Sequence, residues 1–192
     1  MPRTSVVPVE VGRTRCGWAT SAPEYVRYHD EEWGWPLRGD DALFERLCLE
    51  AFQSGLSWIT ILRKRPAFRA AFEGFAVDAV ARFTADDEER LMADAAIVRN
   101  RAKIRAAIGN ARAAQRLPEG LSELLWSFAP TGPRSRPATL ADVPATSPGS
   151  VAMARELKRR GFVFVGPTTA YALMQATGMV DDHVADCFRA TA

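Results

Sequence analysis

Apolar residues recur at spacings of three and four along most of the chain, and no stretch alternates apolar with polar long enough to make a half-buried strand. The pattern predicts an all-α fold. Asp40 or Asp41 can cap a helix that carries Leu43, Phe44, Leu47 and Ala51 on one stripe and stops near Gly55. Ser57 can cap the next, which runs through Trp58, Ile61 and Leu62 to Pro66. Because proline suits a first helical turn, Pro66 is read as opening a further helix bearing Phe68, Ala71, Phe72 and Phe75. Thr84 caps an acidic helix around Leu91; Ile104, Ala107, Ile108 and Ala111 stripe a basic one, and Leu121, Leu124, Leu125 and Phe128 another. Pro130, Pro133, Pro137, Pro144 and Pro148 mark a long connection over 129–149, of the kind that is functional or crosses between two halves of a bundle. Beyond it Val151, Ala154 and Leu157 define a helix ended by Gly161. Phe162 to Val165 then read as extended chain, and Gly166-Pro167 starts a last helix.

With 192 residues, 47% of them hydrophobic and 25% charged, the chain can bury one core without disulfides. Residues 15–192 read as a single domain and 1–14 as a flexible tail. There is no apolar run of about 18 residues to span a membrane, and the first residues lack the apolar core of a signal peptide. These features point to a cytoplasmic protein with no membrane partner. Three cysteines make a poor disulfide framework and fit a reduced compartment, where thiols are free or bind metal. The net charge of +2 says little until its distribution is seen. Asp86, Asp87, Glu88, Glu89 and Asp94 form an acidic block, followed by Arg99, Arg101, Lys103, Arg105, Arg112 and Arg116. The basic segment is either a phosphate-binding face or a solvated helix surface.

Candidate chemistry lies at the two ends. His183 and Cys187 are four apart, so on a helix they share a face and can hold two corners of a tetrahedral metal. Cys16 and His29 stand near the other end, and two sulfurs with two imidazoles suit zinc. Two buried cysteines and two surface histidines are the alternative reading. Cys48, inside the apolar helix, belongs to the core. Glu50 borders the stripe of its helix, where an unpaired charge is costly, so it is either ion-paired or lines a pocket. Trp18, Tyr25, Tyr28 and Trp33 crowd the segment holding Cys16 and His29, and Trp58 follows the turn after Glu50.

Several stretches, in order, resemble one family. These are Cys16-Gly17-Trp18, Tyr28-His29-Asp30, Glu32-Trp33-Gly34, Leu49-Glu50, Gly55-Leu56-Ser57-Trp58-Ile59 and Arg101-Ala102-Lys103-Ile104. They continue with Ile108-Gly109-Asn110-Ala111-Arg112, Leu125-Trp126-Ser127-Phe128, Lys158-Arg159-Arg160-Gly161-Phe162, Phe164-Val165-Gly166 and Asp182-His183-Val184. Together they are similar to DNA-3-methyladenine glycosylase I, the Tag family. The resemblance implies a helix-hairpin-helix superfamily fold and one structural zinc held by Cys16, His29, His183 and Cys187 as a clasp between the chain ends. It also implies that Glu50, Tyr28 and Trp58 contact the excised base, with Trp18 nearby. Ala51-Phe52 departs from the pattern, which has Gly followed by Gln or Phe.

The implied reaction is hydrolysis of the N-glycosidic bond of 3-methyladenine in alkylated double-stranded DNA by a monomeric enzyme of the bacterial cytosol, without a nucleotide cofactor. A base must leave the stack to be reached. Rings and a carboxylate favour the cationic methylated base over neutral adenine. Glu50 is the expected catalytic residue, and with no lysine nucleophile evident no lyase step is expected. Arg99, Arg101 and Lys103 are expected on phosphates, with the Gly55-Leu56 turn as a wedge into the gap left by the flipped base. A non-catalytic zinc-stabilised module binding DNA or protein, and a glycosylase for another base, are the rival readings.

Overall fold

The computed structural model describes residues 12–132 and 135–191 of the chain. Most of the sequence-read tail and Pro133 lie outside the described residues. Among these residues there are helices and turns but no strand. The helices are α1 (Pro23–Glu31), α2 (Asp40–Gln53), α3 (Trp58–Ala71), α4 (Val77–Ala81), α5 (Ala85–Ala93), α6 (Arg101–Ala114), α7 (Leu121–Trp126), α8 (Pro148–Arg159) and α9 (Pro167–Ala176).

Helix α2 is the axis of the fold. Leu43, Phe44, Leu47, Cys48, Leu49 and Phe52 are buried around its whole circumference, as befits a helix enclosed by α3, α4, α6, α7 and α9. Its aspartates cap other helices instead of their own. Asp40 accepts from the backbone N–H of Leu121 (3.1 Å) and Ser122 (2.8 Å), and Asp41 from that of Val77 (2.8 Å). The N-cap of α2 itself is Gly39, at φ 93°. Each carboxylate thus satisfies orphan donors at the start of α7 or α4 and ties that helix to the central one.

Pro66 does not divide α3. The helix continues through it because both flanks are tethered: Arg65 is gripped by Glu32, Arg63 by Glu24, and Phe68 is fully buried. Thr84 caps α5 as read, its backbone N–H donating to Asp87 at 2.9 Å in a capping box. In α8 the buried face is Ser150, Met153, Ala154 and Leu157, while Val151 faces outward. Phe162–Val165 is a turn, not extended chain, with Phe164 at φ 58° and Asn110 clamping Val163 through both its backbone N–H (2.9 Å) and C=O (3.0 Å).

Two apolar clusters result. The larger surrounds α2; the smaller gathers Cys16, Tyr28, Trp33, Leu62, Ala176 and Cys187. The chain ends meet in the second, where the Phe188 N–H donates to Thr14 O at 2.8 Å and the Val184 N–H reaches Cys16 Sγ at 3.5 Å.

Candidate active site

Between the two clusters lies a cavity of about 660 Å³. Its aromatic walls are Trp18, Tyr25, Tyr28, Trp33 and Trp58, and Glu50 is in its lining. Helix α1, opened by Pro23 at its first turn, carries Tyr28; α2 carries Glu50 and Gln53; α3 starts with Trp58. Trp18 packs edge-on against Trp33 (5.1 Å between ring centroids), and Tyr28 tilts against Trp58 (5.6 Å). All four residues read from the sequence as base contacts or neighbours are therefore brought to one cavity.

Glu50 is buried, and that burial pushes its pKa up to about 7, against the help that the Arg46 cation gives the ionised form. The Tyr28 hydroxyl is likewise pushed above its ordinary value by burial. A carboxyl with this environment is a group poised to hold or release a proton near neutrality. Ala51 and Phe52 do not reach the cavity. Phe52, which fits the family pattern, packs on Phe68 and Phe72 at 4.7 Å and 5.8 Å, and Ala51, which departs from it, is buried outside the cavity lining.

Sequence reasoning missed part of the lining. Leu140 and Val143 come from the 129–149 connection, through a short turn at Leu140–Asp142 that Thr139 and Asp142 cap reciprocally. Asp182 also faces the cavity, its Oδ2 accepting from Tyr171 Oη (2.6 Å) and Gln175 Nε2 (2.8 Å). By its length the proline-rich loop reads as functional or as a crossover, and nothing local shows that it lines a cavity.

Behind the aromatic wall, one ligand atom each from Cys16, His29 and Cys187 lies within 4.8 Å of the others. Cys187 Sγ is 3.4 Å from His29 Nε2, near the edge of about 3.5 Å that a tetrahedron with zinc–sulfur and zinc–nitrogen bonds has. His183 stands beside this trio, its ring centroid 5.1 Å from that of His29, and its buried Nε2 has no hydrogen-bond partner. The His183 ring fits only because residue 34 is glycine: a Cβ there would lie 2.5 Å from Cε1. His183 and Cys187 do not share a helix; a turn in which the Cys187 N–H donates to Val184 O (2.9 Å) brings them in. Both imidazoles present Nδ1 to a carboxylate, His29 to Asp30 and His183 to Asp181, each at 2.9 Å. That contact orients the ring and leaves Nε2 for a metal. Burial lowers both histidine pKa values and raises that of the Cys16 thiol.

The residues expected on phosphates have diverse surroundings. Gly55, at φ 82°, makes the turn between Gln53 and Trp58, both in the cavity lining, and leaves Leu56 42% exposed. Arg99 is exposed, but Arg101 is bound by Glu88 (2.6 Å) and Glu89 (2.5 Å). Lys103 is buried, and its Nζ donates to the carbonyls of Phe52 (2.9 Å) and Ser54 (2.6 Å), closing the C-terminal end of α2. Replacing Lys103 by Met should leave those carbonyls unsatisfied and cost about 1–3 kcal/mol, seen as a lower Tm. The salt dependence of DNA binding should stay as in the wild type; a slope reduced by about 0.9 would place Lys103 on a phosphate instead.

A family model described as methyladenine glycosylase matches residues 18–190. The chain is 46% identical over 177 residues to DNA-3-methyladenine glycosylase 1 of Escherichia coli (strain K12), covering 90% of this chain and 95% of that one. A crystal structure of 3-methyladenine DNA glycosylase I superposes with a TM-score of 0.87 at 44% identity, covering 91% of this chain and 98% of the other. A variant of 3-methyladenine DNA glycosylase I in complex with 3-methyladenine also gives 0.87, at 34% identity and with 93% and 98% covered. With the match running from residue 18 to residue 190 and so through every wall of the cavity, the chain belongs to the methyladenine glycosylase family.

Proposed function

We propose that this protein excises 3-methyladenine from alkylated double-stranded DNA by hydrolysing its N-glycosidic bond, as a monofunctional enzyme that leaves an abasic site. The observation that carries the reading is a buried carboxylate, Glu50, set in an aromatic-walled cavity. The names of the relatives support the choice of base.

The residue types fit the chemistry. A flipped base stacks on the rings of Trp58 and Tyr28, with Trp18 behind, and its positive charge is stabilised by those π faces and by ionised Glu50 in a desolvated site. Methylation has already made the base a good leaving group. Breaking the glycosidic bond returns its electrons to the base, which departs neutral while positive charge develops on the sugar, and water supplies the hydroxyl group. The protein's task is to bind, orient and stabilise charge. Leu56, exposed, is the proposed wedge into the duplex and Arg99, also exposed, a proposed phosphate contact. The helix-hairpin-helix assignment is supported by successive helices α8 and α9 packed on each other across the short connection 160–166.

The metal we propose is one zinc, with Cys16, His29, Cys187 and His183 as its ligands. A full set of four ligands leaves no position for water, so its role is structural. Among the described residues no helix is long and apolar enough to cross a membrane, and a monomer acting in the bacterial cytosol beside its DNA accords with the free cysteines.

Incubating the protein with methylated duplex DNA and separating the released bases by chromatography tests the function. 3-Methyladenine is the expected product. Release of a different base would reassign the substrate, and DNA binding without release would favour a non-catalytic module.

A further inference from the structure

Arg46 is one helical turn before Glu50 on α2 and is only 8% exposed, although it does not line the cavity. Its Nη1 donates to Tyr28 Oη at 3.2 Å, and its Nη2 to Glu32 Oε2 at 3.3 Å. Glu32 is also held by both terminal nitrogens of Arg65, at 2.5 Å and 2.6 Å. That bidentate pair already joins the end of α1 to α3, so the join does not require a second buried guanidinium, and burying one is costly.

What Arg46 adds is direction. A guanidinium has donors and no acceptor, so in its bond to Tyr28 the phenol oxygen accepts. We infer that Arg46 is a positioning residue for base recognition, which fixes the Tyr28 hydroxyl as a hydrogen-bond donor toward the cavity that Glu50 lines as an acceptor. This rests on the base-site reading above. A donor beside an acceptor complements the edge of adenine that carries a ring-nitrogen acceptor next to an amino donor. With the phenol turned the other way, two lone pairs would face each other.

The charged and titratable groups around Glu50 are Arg46 on its own helix, Tyr28 and Glu32 from α1 and the residue after it, and Asp182 on the wall beyond α9. Arg65 of α3 acts through Glu32. Arg46 is the cation that favours the ionised form of Glu50. Its removal should therefore change the pH dependence of the reaction as well as its rate.

The test is 3-methyladenine release from alkylated duplex DNA by the full chain under single-turnover conditions across neutral pH, for R46M, R46K, Y28F and R46M/Y28F. R46M should be roughly tenfold slower, the size of one hydrogen bond to a charged group, with the rise of its pH profile displaced to higher pH. R46K keeps the cation and should recover the profile more than the rate. At pH values above the rise of both profiles, where Glu50 is ionised with or without Arg46, R46M/Y28F should be no slower than Y28F, because there Arg46 acts through the phenol alone. Losses that multiply there in the double variant, or R46M with the wild-type rate and profile, overturn the inference. Should R46M not fold, R46K decides alone: slower excision at a wild-type profile supports the inference and a wild-type rate overturns it. Y28F without effect would remove the base-site reading too, whereas a slow Y28F beside an unaffected R46M removes only the role of Arg46.

Discussion

Cys187→Ser should release the proposed zinc and destabilise the protein by more than about 4 kcal/mol, the size associated with losing a metal or a comparable constraint. The ligand residues come from the two ends of the described chain, with Cys16 before α1, His29 within it, and His183 and Cys187 after α9. Their burial would make the proposed zinc a cross-link between the chain ends. Two buried thiols are stable as thiolates only beside a compensating cation, and serine is too weak a donor for the zinc to hold. Elemental analysis should find about one zinc per wild-type chain and much less in the variant, and a chelator should lower the wild-type Tm. The cavity is walled by Trp18 and Tyr28, neighbours of Cys16 and His29, so excision should fall with the folded fraction. Wild type without stoichiometric metal, together with a variant that melts as the wild type does, would end the clasp idea. Residual activity per folded molecule should survive, because no reacting group touches the metal.

Features set by near neighbours in the sequence were legible before the structure. The Thr84–Asp87 capping box and the stripe of α6 need only local spacing, and the structure contains both. The aromatic cluster and Glu50 were legible for a related reason. Spacing alone left Glu50 either ion-paired or lining a pocket and the rings either core or pocket wall, and the family resemblance supplied the assignment. Lys103 shows the limit. Its sequence context is a run of cations, but what decides its role is a pair of carbonyls 51 and 49 residues earlier in the chain. Asp40 and Asp41 repeat the lesson, since a carboxylate near a helix start reads as that helix's cap even when a different helix has the orphan donors. Pro66 was read as a boundary because its local penalty is certain, whereas the tethers of Arg63 and Arg65 that offset it lie in other helices. The turn that delivers His183 and Cys187 was read as a helix from spacing alone.

Glu50→Gln should stabilise the free protein while slowing excision, and the two effects should separate with pH. In the folded chain the Glu50 pKa is pushed up to about 7 by burial, from an ordinary value of 4.5. Between those values the folded state holds a proton that the unfolded state has lost, so wild-type stability falls as pH rises through this window. Below it Glu50 is neutral in both states and costs nothing through ionisation. Above about pH 7 the full difference is felt, about 3 kcal/mol at most by linkage. Glutamine has the same shape and no charge to bury, so the variant's Tm should exceed that of the wild type by a margin that grows between those pH values and then levels off. Its catalytic effect has the opposite sign. Wild-type excision should rise with pH as Glu50 ionises, since the carboxylate then pairs with the cationic base, and binding that base should itself favour the ionised form. The variant should excise about tenfold more slowly, the lower end of what a hydrogen bond to a charged group contributes, because a cationic base leaves readily and needs little help. Its profile should also lose the rise near neutrality. Thermal melts and single-turnover excision over the same pH series read both effects. A Gln variant that is less stable than the wild type at every pH, yet excises at the wild-type rate, would make Glu50 a structural ion-pair partner of Arg46 and remove it from the reaction.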